Sequence, residues 1–407
     1  MKNLVLGLLI LGLSLASIAC NDATDAPAEE ATIDERKLAF ARTTIADSVS
    51  FLWAHDPVDL TNDGIADLLF VDNNESGGQV GYYAGTTEAG IWKKQLISSP
   101  EQEFAMGDIE AADIDGDGDM DIVAAQHSGE WEAADKASQI FWLENPSWTA
   151  HPVGEAPNFI KDVSIADFNA DGKMDIAILT FEESCLQVFQ QATADDWTLA
   201  KEYRNYKNLH EGMDVGDVNG DGYADIVAGA HLFYSPGSDL STDWTMDNIA
   251  EKWNNQTGDW SRNGTKIFLR DLDGDLKSEV FISHSERAGY PLALYRKVKD
   301  KWEETIIMDS IPACHTLQVF DFDQDGDFDI LAGVNQSRAM GLEFERFPIL
   351  LFLANPDHTE WEATTIAEDG IYNGQVIDYD GDGDMDIFRY QTHDATTYQL
   401  LENTLVQ

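Results

Sequence analysis

Asp113-Ile114-Asp115-Gly116-Asp117-Gly118-Asp119-Met120-Asp121 decides the fold, because close copies of it recur along the whole chain. The pattern D-x-[DN]-x-D-G-x-x-D, followed by an aliphatic residue, begins with small departures at Asp59, Asp113, Asp167, Asp217, Asp271, Asp321 and Asp378. The intervals are 54, 54, 50, 54, 50 and 57 residues. A fixed period of this size marks a solenoid, a propeller or an array. Carboxylates packed this densely repel one another unless a cation sits among them.

The loop chemistry points to a hard divalent ion. Asp113, Asp115, Asp117 and Asp121 place oxygens at loop positions one, three, five and nine. Gly118 stands at position six, where a sharp turn needs a left-handed backbone. Oxygen ligands at this spacing suit Ca²⁺. The same set is formed by Asp167, Asn169, Asp171 and Asp175, and by Asp217, Asn219, Asp221 and Asp225. It returns as Asp321, Asp323, Asp325 and Asp329, and as Asp378, Asp380, Asp382 and Asp386. The first loop is weaker, with Asp59, Asp63 and Asp67 but Thr61 at position three. The loop at Asp271 is expected to bind poorly, because Leu276 replaces the glycine and Glu279 the last aspartate. Six or seven structural Ca²⁺ sites are therefore expected. An EF-hand is excluded: position twelve is Ala124, Ile178 or Ala228 inside aliphatic runs, where that motif needs a bidentate Glu and a helix.

Between the loops a second pattern recurs. A tryptophan opens an alternating, β-branched stretch at Trp92, Trp148, Trp197, Trp244, Trp302 and Trp361. Several are preceded by an aromatic strand ending in a turn, as in Ile140-Phe141-Trp142-Leu143-Glu144-Asn145-Pro146. Each unit reads as four antiparallel strands in about 50 residues, one propeller blade. Seven loops with six tryptophan strands leave the last blade one strand short. Phe40-Ala41-Arg42-Thr43-Thr44-Ile45-Ala46-Asp47 aligns without gaps on Trp361-Glu362-Ala363-Thr364-Thr365-Ile366-Ala367-Glu368. The expectation is an all-β, closed seven-bladed β-propeller, residues 37–47 completing the blade that starts near Ile371 and removing two open sheet edges. An open solenoid is the alternative.

The acidic loops and the Trp142-Leu143-Glu144-Asn145-Pro146 motif before Trp148 resemble FG-GAP/VCBS repeats, familiar from integrin α-subunit propellers and many bacterial surface proteins. The resemblance covers residues 37–407. It implies the fold and Ca²⁺ and says little about function, because such folds host binders and enzymes alike.

Residues 1–20 have the composition of a secretory signal: Lys2, an apolar Leu4–Ala19 core, then Cys20. Ser17-Ile18-Ala19-Cys20 resembles a bacterial lipobox, with Ser17 departing from the usual aliphatic residue, and makes Cys20 the expected lipidation site. Residues 21–36, rich in Ala, Asp and Glu, read as a flexible acidic tether. An exported protein, lipid-anchored to the bacterial outer membrane or cell surface and monomeric, is expected. Net charge is −50, which disfavours nucleic acid and anionic lipid as partners. Besides Cys20 only Cys185 and Cys314 occur, in different blades, and both are expected as buried thiols.

No nucleophile elbow, phosphate loop or CxxC pair is present. The site is therefore sought by position, on the face opposite the calcium loops. His127, Trp131, His231, His284, Arg287 and Arg338 fall there as candidate ligand-binding residues, with Lys161, Asp162, Glu211 and Tyr372 nearby. With only 25 basic residues in the chain, His284, Arg287, His315 and Arg338 in consecutive blades point to an anionic group such as a uronate or sulfate. The leading expectation is a surface module binding a glycan or an extracellular protein. The alternative is a sugar-active lyase or dehydratase, with His210 or His315, Tyr290 and Arg287 as candidate catalytic residues.

Overall fold

The computed structural model describes residues 38–49, 51–72, 78–88, 90–98, 104–128, 135–181, 185–204, 206, 210–253, 260–299 and 301–404. Cys20, Trp131, the signal segment and the tether lie outside the described residues. Seven four-stranded antiparallel sheets form the blades of a β-propeller, with almost no helix beyond Gln336–Gly341.

Every blade uses one register around its acidic loop. The residue before position one pairs with the residue at position nine: Val58 with Asp67, Ala112 with Asp121, Ala166 with Asp175 and Gly216 with Asp225. Arg270 with Glu279, Phe320 with Asp329 and Ile377 with Asp386 complete the series. Position nine is thus the first residue of each second strand. These second strands are sandwiched between neighbouring blades and bury both faces, which is why Asp175–Thr180 and Asp329–Val334 read as unbroken apolar runs. The fourth strands form the rim; Lys93–Leu96 and Thr245–Asn248 are largely exposed.

The ring closes as the alignment of the first strand implies. Phe40–Asp47 pairs antiparallel with Thr397–Asn403, from Phe40 opposite Asn403 to Asp47 opposite Thr397. Ile45 and Ala46 are fully buried there.

The position-nine carboxylates tie each blade to itself and to its neighbour. In blade two, Asp121 Oδ2 accepts from Ile114 N at 3.0 Å, and Oδ1 accepts from Asn145 N at 2.9 Å at the end of the third strand. Asn145 Nδ2 then donates to Leu60 O in the loop of blade one. Blades three, four and seven repeat this device: Gln191 Nε2 reaches Ile114 O, Ser235 Oγ reaches Phe168 O and Asn403 Nδ2 reaches Phe322 O. Glu279 departs from it. One oxygen accepts from Leu272 N at 3.0 Å and the other faces Arg296 Nε at 3.7 Å.

A buried N–H that loses its acceptor costs about 1–3 kcal/mol. Asp121→Ala orphans two of them, so in chelator, with no metal involved, unfolding by denaturant should show a loss of about 2–5 kcal/mol. A loss confined to calcium-loaded protein would mean that the carboxylate serves the ion alone.

Candidate functional site

First strands surround the axis and present edges that no sheet partner covers. Carboxylates of each neighbouring blade cap those edges. Asp56 accepts from the Ala111 backbone, Asp108 from Val163 N at 3.2 Å and Glu110 from Ile165 N at 2.9 Å. Asp162 accepts from Gly212 N at 3.1 Å and Asp214 from Leu269 N at 2.6 Å. Gly374 N donates to Thr316 Oγ1 at 2.8 Å, and Asn373 O faces His55 Nε2 at 2.7 Å, carrying the stitching back to blade one. The five carboxylates stand three or five places before a loop, a phase visible in the sequence once the register is known.

A cavity of ≈ 270 Å³ opens among these strands, with wall residues from all seven blades. Desolvation, then the neighbouring Asp108, pushes Asp56 up to about 8. Burial pushes Asp162 and Asp214 up to about 7 and raises Asp108 and Glu110 as well. Lys266 stands in the same wall and acts on Asp108 and Asp162 through space. The wall is therefore acidic and rich in hydrogen-bond acceptors.

At the mouth lies a buried network drawn from five blades. Lys161 Nζ is 3.0 Å from Glu211 Oε2, and Arg338 Nε is 2.8 Å from Glu286 Oε2. His315 Nε2 is 3.0 Å from Glu286 Oε1 and 3.9 Å from Glu211 Oε1; its Nδ1 is 3.0 Å from Asn373 Oδ1. Asn373 Nδ2 donates to Trp53 O, which fixes the amide with its oxygen toward the histidine. Ser285 Oγ donates to Glu211 Oε1. Although burial opposes it, Lys161 and then His315 hold the Glu211 carboxyl well below the usual carboxylate range. Gly264 packs over this network, and a Cβ there would meet Glu286 Cγ and Ser285 Oγ at 2.9 Å.

Aromatic rings line one side of the mouth. Trp53 lies edge-on to Phe51 at 6.1 Å and to Phe159 and His393 at 6.5 Å. His127 meets Phe159 at 5.4 Å, His393 meets Tyr372 at 6.0 Å, and Tyr372 meets His315 at 4.4 Å. Phe51, Trp53 and His393 are partly exposed.

Among the residues proposed from sequence, His315 and Arg338 share the mouth network through Glu286. His127 is buried, bonded to Ser138 Oγ at 3.0 Å. His231 is buried at the start of a third strand, against the Tyr206 ring at 5.3 Å. His284 packs on Tyr290 at 4.5 Å, and burial pushes it down to about 3. His210 Nδ1 faces Phe181 O at 3.0 Å. Of His210, His315, Tyr290 and Arg287, the axial cavity is lined by His315 alone. Sequence reasoning passed over Glu286, Asp56, Asp108, Glu110 and Trp53. Glu211 was named only as a neighbour of the candidates, and Glu286 directly precedes Arg287, so there the chain segment was found and the acting side chain was not.

The opposite face carries the acidic loops. Asp113, Asp115 and Asp121 bring carboxylate oxygens within 4.8 Å of one another, as do the triads Asp321/Asp323/Asp325 and Asp378/Asp380/Asp386. Asp271, Asp273 and Asp275 converge equally, so the loop keeps its shape without the glycine. Leu276 takes φ 68°, close to the 99° of Gly118, and Lys277 Nζ lies 2.7 Å from Asp275 Oδ2. In most loops position one also accepts backbone N–H groups; Gly118 N reaches Asp113 Oδ2 at 3.1 Å. Clustered hard oxygens fit a divalent cation. Cys185 and Cys314 are buried thiols.

Seven blades, each with an acidic loop between its first two strands, define a repeat-built propeller. Family models agree: an FG-GAP-like repeat matches residues 46–124 and an FG-GAP repeat matches residues 212–240, so this is an FG-GAP repeat protein. Comparison with curated proteins found no match. Among solved structures, the rhamnogalacturonan lyase PL11 of Bacillus licheniformis is 14% identical at TM-score 0.50, covering 90% of this chain and 73% of that one. BBS1N, solved in complex with ARL6DN, is 9% identical at TM-score 0.52, covering 91% and 97%. Identities this low speak for the fold alone.

The cavity acids have a pH signature. Their folded pKa values lie above the ~3.9 of an exposed Asp, so the folded state holds protons that the unfolded chain releases. Stability from this source is present at low pH and is lost as pH rises toward 7–8, the values reached by Asp162, Asp214 and Asp56. With divalent cation saturating, the thermal midpoint should fall between about pH 6 and pH 8.5. Asp56→Asn, which keeps an acceptor for Ala111 N–H, should flatten that slope; an unchanged slope would remove Asp56 from the account.

Proposed function

We propose that this chain is an exported, lipid-anchored propeller, stapled by Ca²⁺ in its acidic loops, that binds a hydroxyl-rich glycan at the axial mouth. The observation that carries the reading is the arc of rings around Trp53 beside a wall of acceptors: ring faces stack on sugars and carboxylates accept their hydroxyls. An anionic glycan is less well served. Lys161 and Arg338 are already paired with Glu211 and Glu286, and the cavity wall below them is acidic. The same pairing weighs against elimination across a uronate, which needs a cation for the carboxylate and a free base. Both His315 nitrogens face partners in the network, so the ring offers no free base toward the cavity.

Bound Ca²⁺ would cross-link the loop carboxylates and contribute stability: at ten times Kd, mass action gives about 1.4 kcal/mol per site. Chelation should therefore lower the melting temperature in proportion to the ions lost, and an unchanged melt would sink the calcium staple.

The ligand test is co-sedimentation of the calcium-loaded protein with neutral, uronate-containing and sulfated polysaccharides, with ultraviolet absorbance followed for unsaturated uronides. Binding to neutral polymers, weakened at least about tenfold by Trp53→Ala, is expected from loss of a stacked ring and its buried area. Preference for sulfated polymers would overturn the hydroxyl-rich assignment. New absorbance would make the protein a lyase, and no binding to any polymer would point to a protein partner.

A further inference from the structure

The mouth network gathers two carboxylate oxygens and an imidazole nitrogen at one point. Glu211 Oε1, Glu286 Oε1 and His315 Nε2 lie within 4.8 Å of one another and are 1%, 7% and 2% exposed as residues. Every remaining polar atom of these three side chains is held from outside. Lys161 holds Glu211 Oε2, Arg338 holds Glu286 Oε2, and Asn373 Oδ1 takes Nδ1 of His315. The Asn373 amide cannot turn without losing Trp53 O, so Nδ1 is the protonated nitrogen and Nε2 is the one aimed at the carboxylates. Two carboxylate oxygens and an imidazole nitrogen facing one another can be bridged by a proton or by a metal ion. A proton on Nε2 serves Glu286 at 3.0 Å, whereas Glu211 Oε1, 3.9 Å from that nitrogen, takes the Ser285 hydroxyl.

We propose that Glu211, Glu286 and His315 form a binding site for a divalent transition ion of the Zn²⁺ class, separate from the acidic loops on the opposite face. Mixed imidazole and carboxylate donors suit Zn²⁺, Co²⁺ or Mn²⁺, whereas the all-oxygen loops suit Ca²⁺. Separations of 3.0 and 3.9 Å resemble those between neighbouring ligands on bonds of ~2.0–2.2 Å. The outer partners are of the kind that orient metal ligands: a fixed acceptor on the far histidine nitrogen and a hydrogen-bond donor on each far carboxylate oxygen. Lys161 and Arg338 cancel the two carboxylates. Three protein ligands leave open positions for water or for a hydroxyl of whatever occupies the cavity. The metal site stands whether or not the glycan reading holds, because its test uses metal alone.

Full-length protein saturated with Ca²⁺, to block the loops, would be titrated with Zn²⁺ by calorimetry and with Co²⁺ by visible absorption. One equivalent is expected, with a Co²⁺ spectrum of mixed nitrogen and oxygen ligation. His315→Ala and the isosteric Glu286→Gln should each weaken binding about a hundredfold or more, and Asn373→Ala about tenfold. Asp115→Ala, in a loop, should leave it unchanged. Wild-type protein that takes up no Co²⁺ under these conditions overturns the proposal without recourse to any variant. Uptake that survives both His315→Ala and Glu286→Gln places the ion elsewhere and overturns it equally.

Discussion

The carboxylate at the ninth position of each acidic loop opens the second strand of its blade, and in six of the seven blades it holds two backbone N–H groups at once. One comes from its own loop and one from the end of the third strand, as Asp386 does for Tyr379 N and Asn403 N. Buried backbone donors have to be paired, and a loop cannot pair them from a sheet ladder. The carboxylate therefore does structural service before any ion arrives. Through Asn145, Gln191, Ser235 and Asn403 the same tie reaches the preceding blade. One residue type thus shapes the loop, anchors the blade and sets the spacing between blades.

The axial strands solve the same problem around the channel. Their uncovered edges face the channel, and Asp56, Asp108, Glu110, Asp162 and Asp214 pair them across blade boundaries. Two rings of side-chain-to-backbone bonds therefore hold the propeller, one at the acidic loops and one along the channel. This also explains where part of the large negative charge goes. Many of the acids are not solvated surface; they are acceptors built into the frame, and burial raises their pKa values as a result. At the mouth, where cations are brought in, Glu211 stays ionised.

Much of this was legible in the chain. The loop period, the EF-hand exclusion and the strand after each loop are local features, so seven blades and their closure by Phe40–Asp47 followed from spacing and alignment. His315 and Arg338 were picked by position and do meet, through Glu286. The basic cluster of His284, Arg287, His315 and Arg338 was read as an anion site because His315 and Arg338 were counted without Glu286. Glu211 and Glu286 sit one residue from His210 and Arg287, and adjacent residues at a strand end point in different directions. A one-residue offset therefore separates a side chain in the network from one turned to Phe181 O.

Sequence by itself determined the repeat, the blade, the loop geometry and the ring, because each depends on interactions within about 50 residues or on a copy of a pattern already seen. Tertiary structure alone decided what the mouth contains. Lys161, Glu211, Glu286, His315 and Asn373 belong to five blades and to connecting segments that follow no repeat, so no periodicity relates them. They meet because the first strands converge on one axis, and there the pairing of charges, the tautomer of His315 and the acidity of the cavity are set by contact across blades.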